Sequence, residues 1–182
     1  NGKDVGGFPI SLPEKATAPI AVFDYDGNKD VRLVVALADG RVLNYGLDGS
    51  PTTGWETPRL TSPATNPVQH LRIKNKDHLL VVDGNGRIVL LDRRGGERER
   101  SGSNLGIAPV IQRIAPGLEL NSTRLIWADT SGTLHEAALN GKERPISRSG
   151  NNTLGDLADD GTYDIVRISG DSLVVTHGTK IL

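Results

Sequence analysis

The sequence predicts an all-β fold, and two observations support this prediction. The 182-residue chain contains 22 glycines and 10 prolines, and these residues mark turns. The apolar segments between them are short and rich in Val, Ile and Leu, and no window of a dozen residues keeps the i, i+3, i+4, i+7 spacing of an amphipathic helix. Short β-strands joined by frequent turns therefore account for most of the chain.

A third observation is that the turns recur every 46 residues. The first series consists of three dipeptides between β-rich runs, Asp39-Gly40, Asn85-Gly86 and Ser131-Gly132. The second series follows nine residues later, at Gly49, Gly95 and Gly141. Asn-Gly and Asp-Gly favour two-residue type I′ hairpins, because both central residues of that turn need a positive φ. Two turn series in one register indicate a repeated unit.

Each unit is predicted to contain four short strands, and a period of 40–50 residues is typical of β-propeller blades. The sequence therefore predicts one repeat domain, a β-propeller or propeller fragment of about four blades. Its parts are an orphan outer strand at 1–13, blades at 14–64, 65–104 and 105–150, and a partial blade at 151–182. The Gly54-Trp55 segment is the predicted fourth strand of the first blade, and the last unit is predicted to stop before its fourth strand. A β-sandwich or barrel with evenly spaced hairpins is the alternative.

The two ends of the predicted array leave three arrangements open: a closed ring of four blades, an open arc, and part of a larger ring. We favour part of a larger ring with an open-arc geometry. Residues 31–38 alternate so that both faces of their strand are apolar, with Val35 on one face and Val34 on the other. Such a strand is predicted to lie between two neighbouring blades.

Five segments carry a resemblance to a known group: residues 5–9 (VGGFP), 18–27 (APIAVFDYDG), 54–55 (GW), 67–70 (PVQH) and 88–93 (IVLLDR). They resemble the C-terminal propeller region of large, uncharacterised bacterial envelope proteins, a region similar to pyrroloquinoline-quinone-like propellers. The resemblance implies further blades of the same protein and a periplasmic or cell-envelope location. It implies no catalytic residue. Quinone enzymes of this class have a tryptophan in every blade, whereas Trp55 and Trp127 are the only tryptophans here and are predicted to pack between blades.

Composition excludes several classes of function. The 21 Lys and Arg residues nearly balance the 22 Asp and Glu residues, so no field of one sign exists to attract nucleic acid. The absence of cysteine excludes disulfides, thiolate metal sites and cysteine nucleophiles. No apolar stretch approaches the ~20 residues of a membrane-spanning helix, so this segment is predicted not to insert into a membrane.

No catalytic motif is present, and the chain is predicted not to be an enzyme. The four histidines, His70, His78, His135 and His177, show neither His-x-His nor His-Glu-x-x-His spacing. They are predicted to be ordinary strand or loop residues. No cofactor is predicted, with calcium as the one exception to consider.

Two aspartate-rich segments suggest calcium. Asp156, Asp160 and Asp164 match positions 1, 5 and 9 of the loop in integrin-type propeller repeats, although Ala158 stands at position 3. The second segment, residues 24–30, has its last aspartate two residues too early and contains Lys29. Tight turns in which Asp and Asn accept backbone hydrogen bonds are the alternative for both segments.

Charges alternate along residues 93–100, a predicted outer strand and its turn. The run is interpreted either as a solvated rim that prevents edge pairing or as a docking edge for another protein. The leading functional hypothesis is a non-catalytic scaffold or protein-interaction module of the bacterial cell envelope, whose partner is another protein or further blades of the same one. The alternative is a calcium-dependent ligand-binding or adhesion propeller.

Overall fold

The computed structural model is all-β and contains four antiparallel sheets. It describes residues 6–139, 143–145, 152–155, 157, 164–177 and 180–181. The strands are Ala21–Asp24 (β1), Val31–Ala36 (β2), Val42–Gly46 (β3), Gln69–Ile73 (β4), Lys76–Val82 (β5), Arg87–Leu91 (β6), Glu97–Asn104 (β7), Val110–Ala115 (β8), Arg124–Ala128 (β9), Leu134–Ala138 (β10), Glu143–Pro145 (β11), Asn152–Gly155 (β12), Asp164–Ser169 (β13), Ser172–His177 (β14) and Lys180–Ile181 (β15).

Strands that are consecutive in the chain are neighbours in each sheet. We call the sheets blade 1 (β1–β3), blade 2 (β4–β7), blade 3 (β8–β11) and blade 4 (β12–β15). Their strands pair antiparallel throughout, which makes each sheet the up-and-down meander of a propeller blade. The predicted fold class is confirmed. Each sheet lies within one predicted unit, and the unit boundaries themselves stay a prediction.

The 46-residue period is visible in the hairpins between the second and third strands. Three backbone hydrogen bonds repeat at this spacing, from the amides of Gly40, Gly86 and Gly132 to the carbonyls of Leu37, Asp83 and Asp129 at 3.0, 2.9 and 2.9 Å. Only the glycine of each loop has a positive φ, at 84°, 79° and 81°. The prediction of type I′ turns is therefore wrong for these three hairpins. Each loop has three residues, a type I turn followed by a left-handed glycine, so one positive φ is enough.

The two-residue type I′ geometry occurs instead between β4 and β5. Lys74 and Asn75 both have a positive φ there, 50° and 58°, and they connect the paired residues Ile73 and Lys76. Neither central residue is glycine, which is why the dipeptide rule did not identify this turn.

Two apolar cores lie between the blades, and β5 contributes to both. Leu79 and Val81 belong to the core shared with blade 1, whereas Leu80 and Val82 belong to the core shared with blade 3. All four side chains are buried. Blade 2 is therefore covered on both faces, as expected when blades stack and cannot bury their faces alone.

The strand predicted to be sandwiched, β2, is also buried on both faces. Val34 and Ala36 belong to the core shared with blade 2. Leu33, Val35 and Leu37 point to the opposite face and are buried there. Burial on both faces is thus confirmed, and a second neighbouring blade on this face stays a prediction.

Both tryptophans pack where blades meet, as predicted. Trp127 is fully buried in the core between blades 2 and 3, and its ring N–H donates to the Leu105 carbonyl at 2.9 Å. Trp55 packs against the core between blades 1 and 2 and donates to the Val42 carbonyl at 2.8 Å. Its ring covers Gly95 of blade 2, where a Cβ atom would lie 3.1 Å from the ring.

The predicted fourth strand of blade 1 at Gly54-Trp55 is not a regular strand. Residues 51–59 run beside β3 and are joined to blade 1 by two isolated bridges. Pro51 and Pro58 have no amide to donate, and Thr57 has a φ of 50°. A ladder cannot continue through these positions.

The two ends of the array also differ from the prediction. Lys180–Ile181 pairs with β14 as a short fourth strand, so the expectation that the last unit stops before that strand was wrong. The outer strand predicted within residues 1–13 is not formed over 6–13, which contain turns and irregular backbone. Residues 1–5 lie outside the described residues. Gly7 touches the turn at Gly49 so closely that a Cβ atom on either glycine would collide with backbone of the other segment.

Candidate interaction surface

An arginine of blade 2 reaches across to blade 1. The guanidinium of Arg93, which follows β6, donates two hydrogen bonds to the carboxylate of Asp26, both 2.7 Å long. Its Nε donates to Asp77 on β5, also at 2.7 Å. Asp26 lies in the loop after β1, so one side chain connects the two blades. The planar guanidinium fork suits such paired contacts with carboxylates.

Aromatic rings surround this arginine. The guanidinium carbon of Arg93 lies 4.6 Å from the centroid of the Tyr25 ring, a cation–π contact. The Tyr25 ring is 5.0 Å from the ring of His70 and 5.1 Å from that of Phe23. His70 in turn contacts Asp77, with 2.7 Å between Nε2 and Oδ1. We call Asp26, Tyr25, His70, Asp77 and Arg93 the interblade clamp.

The electrostatics of the clamp favour its charged form. Burial raises the pKa of the Asp77 carboxyl, but hydrogen bonds from His70 and Arg93 outweigh burial and hold that pKa below its usual range. Hydrogen bonding to Asp26 raises the pKa of the Arg93 guanidinium. Burial raises the pKa of Tyr25 to about 12. At neutral pH the clamp therefore combines an ionised arginine, ionised aspartates and a neutral tyrosine.

The clamp does not pair a nucleophilic hydroxyl with a base. The Tyr25 hydroxyl is buried and has no hydrogen-bond partner within the described chain. Nucleophilic catalysis needs a hydroxyl or thiol within hydrogen-bond reach of its base, and Tyr25 does not meet this requirement with His70. Asp77 orients the imidazole and anchors Arg93, which is a structural task.

Pairing of histidine with aspartate recurs in three blades, and sequence reasoning missed it. The pairs are His70–Asp77, His135–Asp129 and His177–Asp164, with nitrogen–oxygen distances of 2.7, 3.0 and 2.7 Å. The partners are separated by 7, 6 and 13 residues. No fixed spacing relates them because the pairs form across strands and turns.

The aspartate-rich loop at 24–30 is a tight turn, the alternative given above. The Asp24 carboxylate accepts hydrogen bonds from the amides of Asp26, Gly27 and Lys29 at 3.1, 2.9 and 2.6 Å. The side chain of Asp26 is turned toward Arg93 instead. Backbone amides and a guanidinium thus occupy the oxygens that the calcium hypothesis required.

The other calcium candidate is described at one position. Asp156 and Asp160 lie outside the described residues. Asp164 is fully buried, and its carboxylate accepts hydrogen bonds from the Leu157 amide at 2.6 Å and contacts His177 at 2.7 Å. Within the part of the chain that the structure describes, no group of three or more metal-ligating side chains is present. Calcium at Asp156, Asp160 and Asp164 stays a prediction.

The charged run at 93–100 occupies the position predicted for it. β7 is the edge strand of blade 2, and it begins after the turn that contains Arg93 and Arg94. Beside this turn lies an open cleft of about 310 Å³ that borders the clamp at Asp77 and Arg93. Three further cations, Lys76, Arg94 and Arg98, line the same cleft.

Antiparallel meander sheets stacked through buried faces define a β-propeller. Solved structures agree: BamB from Moraxella catarrhalis is 16% identical, with a TM-score of 0.53, over 90% of this chain and 47% of that one. Two structures of BBS1N in complex with ARL6DN also match. The complex soaked with lead is 12% identical with a TM-score of 0.61, over 96% of this chain and 56% of that one. The complex soaked with mercury is 20% identical with a TM-score of 0.55, over 94% and 56%.

These likenesses show the fold alone, and the chain spans about half the length of each propeller it matches. No family model matches the chain, and no curated protein matches its sequence. The comparisons therefore support a propeller without the pyrroloquinoline-quinone-like or integrin-type label. Among the described residues, no helix has the length and apolar character to cross a membrane.

Proposed function

We propose that the chain is a non-catalytic propeller module that binds another protein, in the periplasm or cell envelope of a bacterium. The observation that carries this proposal is the contrast between the buried faces of the blades and the exposed edge of blade 2. The faces of blades 1, 2 and 3 are buried against one another, whereas charged side chains are displayed on the outer edge and rim of blade 2. A rigid body with an exposed polar rim suits recognition of a protein surface.

Two likenesses support the proposal. BBS1N is a propeller seen in complex with a protein, ARL6DN, so this fold is used in a protein complex elsewhere. The resemblance of five segments to bacterial envelope proteins supports the envelope location, and BamB from Moraxella catarrhalis shows that the fold occurs in a bacterial protein. The clamp adds a physical reason, because a propeller whose blades are fixed loses little conformational freedom when it binds.

Site-specific photo-crosslinking tests the proposal. A crosslinking amino acid placed at Leu47 or Ile107, which are 51% and 75% exposed, is expected to capture a protein in the cells that produce the chain. The captured protein is then purified and titrated against the unmodified chain by calorimetry. Saturable binding supports the proposal. Failure of every captured protein to bind in the purified system would contradict it.

The alternative is a calcium-dependent adhesion or ligand-binding propeller, and it rests on Asp156, Asp160 and Asp164 in the sequence. Calorimetric titration of the chain with calcium tests it. A saturable event that disappears in Asp160→Ala would establish calcium binding at this loop. The same heat in the wild type and the variant would place any calcium elsewhere.

A further inference from the structure

The cleft beside the clamp carries an excess of positive charge that the described chain does not neutralise. Its two carboxylates, Asp77 and Asp92, are already satisfied from within. Asp77 contacts His70 and Arg93, and one Asp92 oxygen accepts the amides of Arg94 and Gly96 at 2.8 and 3.1 Å. Asp77 is therefore paired with Arg93, whereas Asp92 is held by backbone amides.

The cations of the cleft differ in whether a carboxylate of the described chain pairs with them. Arg93 is bound by Asp26 and Asp77. Among the described residues, Lys76, Arg94 and Arg98 form no ion pair. Their side chains are exposed, so two guanidinium groups and one ammonium group face solvent in one place.

A second cavity adjoins the first and shares Lys76 and Arg98 with it. This cavity has a volume of about 370 Å³ and lies between blades 2 and 3. His78 lines it, and the buried Nδ1 of His78 has no hydrogen-bond partner within the described chain. Two acidic residues also line it, and one of them, Glu119, pairs with Lys74 at 2.6 Å. The lining of the second cavity therefore has three cations against two carboxylates, whereas the lining of the first has four cations against two carboxylates.

We propose that the cleft of Lys76, Arg94 and Arg98 binds an acidic segment of a partner protein. Arginine forks bind carboxylates through two parallel hydrogen bonds, and three cations around one cleft match alternate Asp or Glu residues of an extended peptide, whose side chains lie on one face. Nucleic acid is disfavoured because the whole chain has a net charge of −1 and so offers no overall positive field to a polyanion. The inference rests on the proposed protein-binding function and assigns it a surface.

Fluorescence anisotropy with a labelled eight-residue peptide tests the inference. The peptide alternates glutamate with glycine, and the matched peptide has glutamine in place of glutamate. We expect the acidic peptide to bind the wild-type chain, and the binding to weaken as salt rises from about 0.05 to 0.3 M because exposed charges are screened. The glutamine peptide is expected not to bind.

Two double variants with the same change in charge locate the site. Arg94→Gln with Arg98→Gln is expected to weaken binding about fivefold or more, since two charge contacts are lost. Lys15→Gln with Arg167→Gln removes two exposed cations outside the cleft and is expected to leave binding unchanged. Thermal unfolding of both variants checks that each remains folded.

Several outcomes would overturn the inference. Equal binding by the two double variants would show that the peptide senses overall charge, and no binding of the acidic peptide would show that the cleft has no affinity for carboxylates. If inorganic phosphate displaces the acidic peptide at the same concentration of negative charge, the cleft is a site for small anions. Tighter binding of a single-stranded oligonucleotide would assign it to nucleic acid.

The test separates this inference from the proposed function. If a protein captured by crosslinking binds the Arg94→Gln, Arg98→Gln variant as tightly as the wild type, the cleft assignment fails while the protein-binding function stands. If no captured protein binds the wild-type chain, the proposed function fails, whatever the peptide does.

Discussion

Arg93 contacts two carboxylates whose surroundings differ. The side chain of Asp26 is 45% exposed, whereas that of Asp77 is 7% exposed. An exposed ion pair contributes little because water and salt screen it. Loss of Arg93 would leave the Asp77 carboxylate in a buried position with only His70 beside it, and a buried charge that loses a partner is costly. At the scale of single residues, the Arg93–Asp77 contact therefore matters more to stability than the Arg93–Asp26 contact.

Arg93→Gln is expected to destabilise the chain by about 1 to 2 kcal/mol, which is less than for a fully buried pair because Arg93 is itself 40% exposed. Urea unfolding at neutral pH measures the change. Arg94→Gln is the matched control, since Arg94 adjoins Arg93 and belongs to no ion pair in the described chain. Equal stability of the two variants would show that Arg93 contributes nothing to the stability of the folded chain.

Acid is expected to weaken the clamp. The pKa of Asp77 in the folded chain lies below its ordinary value of about 3.9, so the folded state binds fewer protons at this group than the unfolded state does. The stabilisation is therefore fully present above about pH 4 and is lost as pH falls through the lower folded pKa. Asp77→Asn should be less stable than the wild type at pH 7, and the gap should narrow below pH 4. A gap that stays constant from pH 7 to 3.5 would contradict the assignment.

At the scale of strands, burial on both faces distinguishes β2 from β1. Val35 of β2 is 5% exposed, whereas Val22 of β1 is 59% exposed. Val35→Asp places a carboxylate in a buried position, and the cost of several kcal/mol is a large part of the about 5–15 kcal/mol by which a domain is stable. We expect Val35→Asp to abolish soluble expression and Val22→Asp to fold. A stably folded Val35→Asp variant would contradict the stacking of blades.

The strands and hairpins were largely predictable from the sequence, because turn residues repeat at a fixed period and depend on local backbone geometry. Side-chain pairs between blades were not predictable. Arg93 and Asp26 are 67 residues apart, and nothing in the alternating run at 93–100 distinguishes Arg93 from its neighbours. The irregular path of residues 51–59 follows from Pro51 and Pro58, which are visible in the sequence. The prediction of a strand there gave more weight to the period of the turns.

At the scale of the whole molecule, the array ends in two different ways. The face of blade 1 that carries Val35 is buried. In blade 4, Ile168 and Leu173 are cross-strand partners next to the β13–β14 hairpin and are 74% and 71% exposed, whereas Asp164 on the same face is fully buried. The exposed apolar surface of blade 4 is therefore confined to the hairpin end of that face, and the open-arc arrangement stays a prediction.

The exposed apolar pair Ile168 and Leu173 is expected to make the isolated chain self-associate. Ile168→Asp with Leu173→Asp should shift the chain toward monomer in sedimentation velocity at about 50 μM, and the melting temperature should change little because neither side chain is packed. Ile107→Asp with Leu118→Asp is the control: it adds the same charge at residues that are 75% and 87% exposed in loops. If both double variants reduce association equally, added charge alone is responsible. If the wild type is monomeric at this concentration, the exposed pair does not drive self-association.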